Sequence, residues 1–163
     1  MFEKGSFVVN ATNGICEITD IVTMEISGVA KEYYLLIPIE EKNTKVYIVV
    51  NGAENKIRPV MKKEEALELM KEIPTIEEAW VENEKERERL YKDAIASRDP
   101  KRLVAIIKTL YIRRKTRTDA GKKSTAVDER YFKIVENQLH AELAFALGEE
   151  KNNIKQIIQK YME

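Results

Sequence analysis

The residue pattern changes abruptly at Pro59, and few folds accommodate such a change. Before it, Phe7-Val8-Val9, Ile15-Cys16-Glu17-Ile18, Tyr33-Tyr34-Leu35-Leu36-Ile37 and Val46-Tyr47-Ile48-Val49-Val50 are rich in β-branched and aromatic residues. Turn signals separate them at Asn13-Gly14, Ser27-Gly28 and Lys42-Asn43-Thr44, so these runs read as short strands. After Pro59 the apolar residues recur at helical spacing. The chain is therefore expected to be α+β: a small barrel of the SH3 or Tudor kind over residues 1–60, followed by an all-helical domain over 61–163. An unpaired sheet edge in such a module is a plausible docking surface.

The helical part divides at recognisable signals. Met61–Ile73 reads as a helix stopped before Pro74. Thr75 with Glu78 forms a capping-box pattern that opens a second helix reaching about Ala96. Asp99-Pro100 restarts a third, to about Arg117, with Leu103, Ile107, Leu110 and Tyr111 on one stripe. Ser124 or Thr125 caps a fourth, in which Tyr131, Val135, Leu139, Leu143 and Ala146 share a face and Gly148 ends it. Ile154, Ile157, Ile158 and Tyr161 mark a last amphipathic helix.

Composition removes several function classes. The single Cys16 excludes an internal disulfide framework and fits a reducing cytosol. One Cys and one His exclude a structural zinc site of the usual N/S type. No run approaches the roughly 18 apolar residues of a membrane span. His140 has no nucleophile at meaningful spacing, and Cys16 no basic neighbour to activate it. Walker A, G-x-G-x-x-G and HExxH patterns are missing. The expectation is a non-enzyme with no cofactor, metal or small-molecule substrate.

The formal net charge is zero, from 28 basic and 28 acidic residues, but it is a sum of unlike parts. Residues 1–60, 61–97, 98–133 and 134–163 carry net −2, −4, +8 and −2. Within the basic third, Arg113, Arg114, Lys115, Arg117, Lys122 and Lys123 cluster at a helix C-terminus and the turn after it. Such cations complement the macrodipole. Six of them with only Asp119 between also repel one another unless a polyanion compensates, which points to a phosphate backbone. The only tryptophan, Trp80, lies in the acidic run Glu77-Glu78-Ala79-Trp80-Val81-Glu82. It reads either as a core anchor or as an exposed wedge against an unstacked base.

The ordered set of features resembles the CarD family of bacterial transcription regulators. In the β part the resemblance rests on Met1-Phe2-Glu3-Lys4-Gly5-Ser6-Phe7-Val8-Val9, Gly14, Lys31-Glu32-Tyr33-Tyr34-Leu35-Leu36 and Ile57-Arg58-Pro59-Val60. In the helical part it rests on Trp80, Leu103 to Leu110 with Tyr111-Ile112-Arg113-Arg114, Gly121-Lys122-Lys123 and Glu142-Leu143-Ala144-Phe145-Ala146-Leu147-Gly148. It implies a Tudor-like domain that docks on the β subunit of RNA polymerase, and a helical domain that contacts promoter double-stranded DNA at the upstream edge of the bubble. The polymerase contact would fall on Met24, Glu25, Ile26 and Tyr47. The DNA contact would use Trp80 in the minor groove, with Lys85, Arg87, Arg89, Arg113, Arg114, Lys115, Arg117, Lys122 and Lys123 on the backbone. Glu82, Glu84, Glu86 and Glu88 interrupt the basic residues after Trp80, a departure from the family pattern. Under the resemblance Trp80 is exposed, since its acidic surroundings provide little core for it to join. The implied function is a cytoplasmic regulator, associated with the nucleoid through polymerase, that shifts promoter opening. The competing reading is an adaptor that docks on polymerase and whose helical domain binds another protein.

Overall fold

The computed structural model describes residues 1–79 and 82–162. Trp80, Val81 and Glu163 lie outside the described residues, and the wedge assigned to Trp80 with them. The chain forms two compact units, Met1–Val60 and Met61–Glu163.

Unit 1 is an antiparallel sheet of β1 (Phe7–Asn10), β2 (Gly14–Ile26), β3 (Val29–Pro38), β4 (Val46–Val49) and β5 (Ile57–Pro59). The strand order is β4-β3-β2-β1-β5. Ser27 and Gly28 both take positive φ, 53° and 80°, the geometry of the tight turn that matches strand twist in a long hairpin. Val8, Cys16, Ile18, Tyr34, Leu36, Ile48, Ala53 and Ile57 form its core. Burial pushes the Cys16 thiol up to about 11, which keeps it protonated and unreactive near neutrality.

The expected barrel does not form: the sheet stays open between β4 and β5. Closure needs those two edge strands to be long, tilted and staggered into register. They have 4 and 3 residues, and β5 pairs only with β1. The chain between them is used in a 3₁₀ turn, Ala53–Asn55, whose Ala53 is packed into the core. Sequence reading also missed β5, three residues too short to show alternation.

One irregularity decides what the sheet presents. The β2–β3 ladder shifts register between Ile18 and Asp20. Before the bulge, Cys16 and Ile18 point into the core opposite Pro38 and Leu36; after it, Ile21 does so opposite Tyr34. A one-residue insertion inverts the in–out parity of everything that follows. Met24 and Ile26, which share parity with Ile18, are thereby turned to the outer face.

Unit 2 contains, among the described residues, α1 (Lys63–Glu72), α2 (Glu84–Ser97), α3 (Pro100–Asp119), α4 (Ala126–Leu147) and α5 (Lys151–Met162). The caps read from sequence at Asp99 and Gly148 are in place, and of the alternatives Ser124 and Thr125 it is Thr125 that caps α4. The Asp99 side chain accepts from the Lys101 N–H at 3.0 Å, and the Thr125 hydroxyl accepts from the Asp128 N–H at 3.1 Å. Gly148 closes α4 at φ 69°. The core joins Leu69, Ile73, Tyr91, Val104, Leu110, Val135, Leu139, Leu143 and Ile154.

The helix expected to open at Thr75 begins only at Glu84. The Thr75 hydroxyl donates back to the Glu72 carbonyl at 2.8 Å instead of capping forward. Pro74 sits in a 3₁₀ turn, Ile73–Thr75, and Ile76 leaves it extended at φ −71°, ψ 126°. The true cap is Asn83, whose side-chain oxygen accepts from the N–H groups of Lys85 (3.0 Å) and Glu86 (3.3 Å).

His140 is 5 % exposed on α4. Burial lowers its pKa from 6.5, with Lys155 and Lys151 acting in the same direction and Glu136 against it. The unfolded chain therefore takes up the proton first as pH falls below 6.5, and stability is lost through that range. Chemical denaturation at about pH 7.5 and about pH 5.5 should show unit 2 weaker at the lower value, and His140→Gln should reduce the difference.

Candidate functional site

Two separate surfaces carry the residues singled out above. The first is the outer face of β2, β3 and β4. Directly opposed residues of antiparallel strands share a face, so the register defines it row by row. Asp20, Leu35 and Tyr47 form one row and Val22, Tyr33 and Val49 the next; Met24 with Lys31, then Ile26 with Val29, continue it along the hairpin. From Leu35 to Val29 the strand rises about 20 Å. Tyr47, Ile26 and Val29 are 42 %, 55 % and 53 % exposed, and Val22, Met24, Tyr33, Leu35 and Val49 are half-buried. A monomeric domain rarely leaves so continuous an apolar strip uncovered.

This geometry unites three of the four residues assigned to polymerase contact: Met24, Ile26 and Tyr47. Glu25, opposite Ala30, points to the other face and does not join them. Sequence reading missed Val22, Tyr33, Leu35 and Val49. Their signal was present in Tyr33-Tyr34-Leu35-Leu36-Ile37, a continuous rather than alternating apolar run. Such a run marks a strand apolar on both faces.

The second surface is the basic end of α3 and the loop after it, and the structure sorts its cations sharply. Arg113 is turned inward. Its side chain is 13 % exposed, and its Nε donates to Asp128 at 2.8 Å. Asp128 also accepts from the Tyr91 hydroxyl at 3.1 Å, so Arg113 belongs to a buried network linking α2, α3 and α4. Arg87 is likewise inward, 7 % exposed, donating to the Glu82 carbonyl at 3.3 Å. These two are corrected from backbone contacts to structural cations. A run of adjacent charges cannot all face outward, because a helix turns about 100° per residue.

Arg114 lies between these extremes. Its Nε and Nη2 donate to Glu129 at 3.0 and 2.9 Å, and its guanidinium sits 4.1 Å over the Phe132 ring. Burial raises the Glu129 carboxyl, but hydrogen bonds from Arg114 and Ser124 outweigh it and hold it below the usual range. Arg117 Nε donates to the Lys123 carbonyl at 2.7 Å and ties the loop down. Lys115, Lys122 and Lys123 remain exposed there, as do Lys85 and Arg89 on α2.

Among the described residues, no group of three His, Cys, Asp or Glu side chains could hold a metal ion, and no helix is long and apolar enough to cross a membrane. No curated protein is similar to the chain at a significant level. Residues 2–61, which include the whole apolar sheet face, match the family model of the CarD-like/TRCF RID domain, an RNA polymerase β-interacting domain.

Proposed function

We propose that this protein is a non-enzymatic regulator of transcription that docks on the RNA polymerase β subunit through unit 1 and contacts promoter DNA through unit 2. The observation that carries the docking half is the apolar strip of Val22, Met24, Ile26, Tyr33, Leu35 and Tyr47, lying wholly within the residues that match a polymerase-interacting domain. The DNA half rests on the exposed lysines Lys115, Lys122 and Lys123, with Lys85 and Arg89, and on the resemblance that assigns Trp80 to the edge of the bubble. Contacts of this kind position a protein on the duplex without reading sequence. A protein holding both partners stabilises whichever polymerase–promoter state places them at the right separation. It thereby shifts the opening equilibrium without any chemical step. Its place of action would be the cytoplasm, on the nucleoid, wherever polymerase carries it.

The exposed lysines give a test of the DNA half. Replacing Lys115, Lys122 and Lys123 together with alanine should lower promoter affinity. It should also reduce the slope of log affinity against log salt by roughly 2.7, about 0.9 for each phosphate no longer neutralised. Binding to the β subunit should be unchanged. A triple variant with the wild-type salt slope would assign the duplex contact elsewhere. Arg113 is unsuitable for this test, because its loss acts through folding.

A specific observation favours a second reading. Of the six clustered cations, Arg113 and Arg114 are already matched by Asp128 and Glu129, leaving a thinner positive surface than the sequence suggests. An adaptor whose helical unit binds an acidic protein would fit that surface too. Capture of polymerase with no detectable promoter contact would decide for it.

A further inference from the structure

Helices α3, α4 and α5 enclose a cavity of about 220 Å³ within unit 2. Ile107, Tyr111 and Arg114 reach it at helical spacing from α3, and Phe132, Glu136 and His140 do so from α4. Lys155 and Ile158 of α5 complete the enclosure.

His140 is the informative member. It is 5 % exposed, yet its imidazole has no hydrogen-bond partner among the described residues. Burial favours the neutral ring, which carries one N–H and one lone pair. Leaving both unpartnered in a protein interior costs free energy. His140 lines the cavity, so a molecule held there can satisfy it. Two more donors at the cavity have no hydrogen-bond or ion-pair partner among the described residues: the half-buried Tyr111 hydroxyl and the exposed Lys133 ammonium.

The charges narrow the choice of molecule. Arg114 pairs with Glu129 at 2.9 Å and Lys155 with Glu136 at 3.5 Å, so those four cancel. Lys133 is left as one unmatched positive charge. Ile107, Phe132 and Ile158 supply apolar walls. Apolar walls with a few convergent polar groups are the usual make-up of a small-molecule site between bundled helices, and such sites for drug-sized ligands run to roughly 300–1,000 Å³. This one suits a smaller occupant, about one ring in size. We propose that the cavity binds a small apolar monocarboxylate, its body against Ile107, Phe132 and Ile158 and its charge toward Lys133, with His140 and Tyr111 donating to the carboxylate. A phosphate group would bring close to a second negative charge, which nothing in the cavity matches. The site is independent of the polymerase and DNA contacts proposed above.

His140 is the only histidine, so its imidazole resonances in a labelled protein report on the cavity alone. Titrating the full chain with benzoate should shift them saturably, with a Kd at or below about 1 mM. Benzyl alcohol, which keeps the ring, and acetate, which keeps the charge, should each bind at least about 10-fold more weakly. Lys133→Ala and Tyr111→Phe, neither of which removes core packing, should each weaken benzoate by about 5-fold. No saturable shift with benzoate up to about 10 mM would overturn the proposal. So would either control binding as tightly as benzoate, or wild-type benzoate affinity in both variants.

Discussion

Replacing Asp128 with alanine should destabilise the helical unit by about 3–5 kcal/mol, the usual cost of removing one partner from a buried ion pair. The carboxylate is 3 % exposed and receives Arg113 Nε at 2.8 Å and the Tyr91 hydroxyl at 3.1 Å. Its loss leaves a mostly buried guanidinium and a fully buried phenol without their acceptor. For a unit of this size the melting temperature should fall by about 15 °C or more. Glu129→Ala, which breaks the more exposed pair with Arg114, should cost less than about 1 kcal/mol. Urea denaturation of the two variants side by side separates the cases. An Asp128→Ala protein within about 1 kcal/mol of wild type would mean that the buried network contributes little.

The second large effect concerns docking. Substituting Met24 and Tyr47 together with alanine should weaken binding to the polymerase β subunit by about 30- to 1,000-fold, or about 2–4 kcal/mol, the range for losing aromatic and apolar anchors at the centre of an interface. Both side chains are on the outer face, away from the core of Val8, Ile18, Tyr34 and Leu36, so thermal stability should change by no more than a few degrees. Glu25→Ala, on the opposite face, serves as the control and should bind normally. Titration calorimetry or surface-immobilised β subunit gives the comparison directly. Equal affinity for the double variant and the wild type would move the docking surface off this face, most simply to the free edge of β4.

The legible features were those set by local chemistry. The residue pattern switches at Pro59, and the two compact units divide at Val60–Met61. The caps at Asp99 and Gly148, and one at Ser124 or Thr125, were readable because a single side chain or a positive φ suffices to end a helix. Thr75 misled for the same reason. Its spacing to Glu78 is that of a capping box, but Pro74 sits in a 3₁₀ turn that Ile76 leaves extended, the Ile76 carbonyl accepts from Lys108 and the Ala79 N–H donates to Thr109. Those bonds come from residues about thirty positions away, and no local window contains them.

The candidate surfaces divide in the same way. Sequence alone determined that cations concentrate in residues 98–133 and that the first sixty residues are strand-forming, while the family resemblance implied Met24, Glu25, Ile26 and Tyr47 as a contact surface. It could not say which way any of these side chains face. For Met24 and Ile26 the answer came from a bulge between Ile18 and Asp20, which inverts parity along the rest of β2. For Arg113 it came from Asp128, fifteen residues later, arriving across the helix interface to neutralise it. Composition and local pattern are properties of the chain and survive in any fold. Facing direction and charge pairing depend on what packs against each element, and only the tertiary structure decides that.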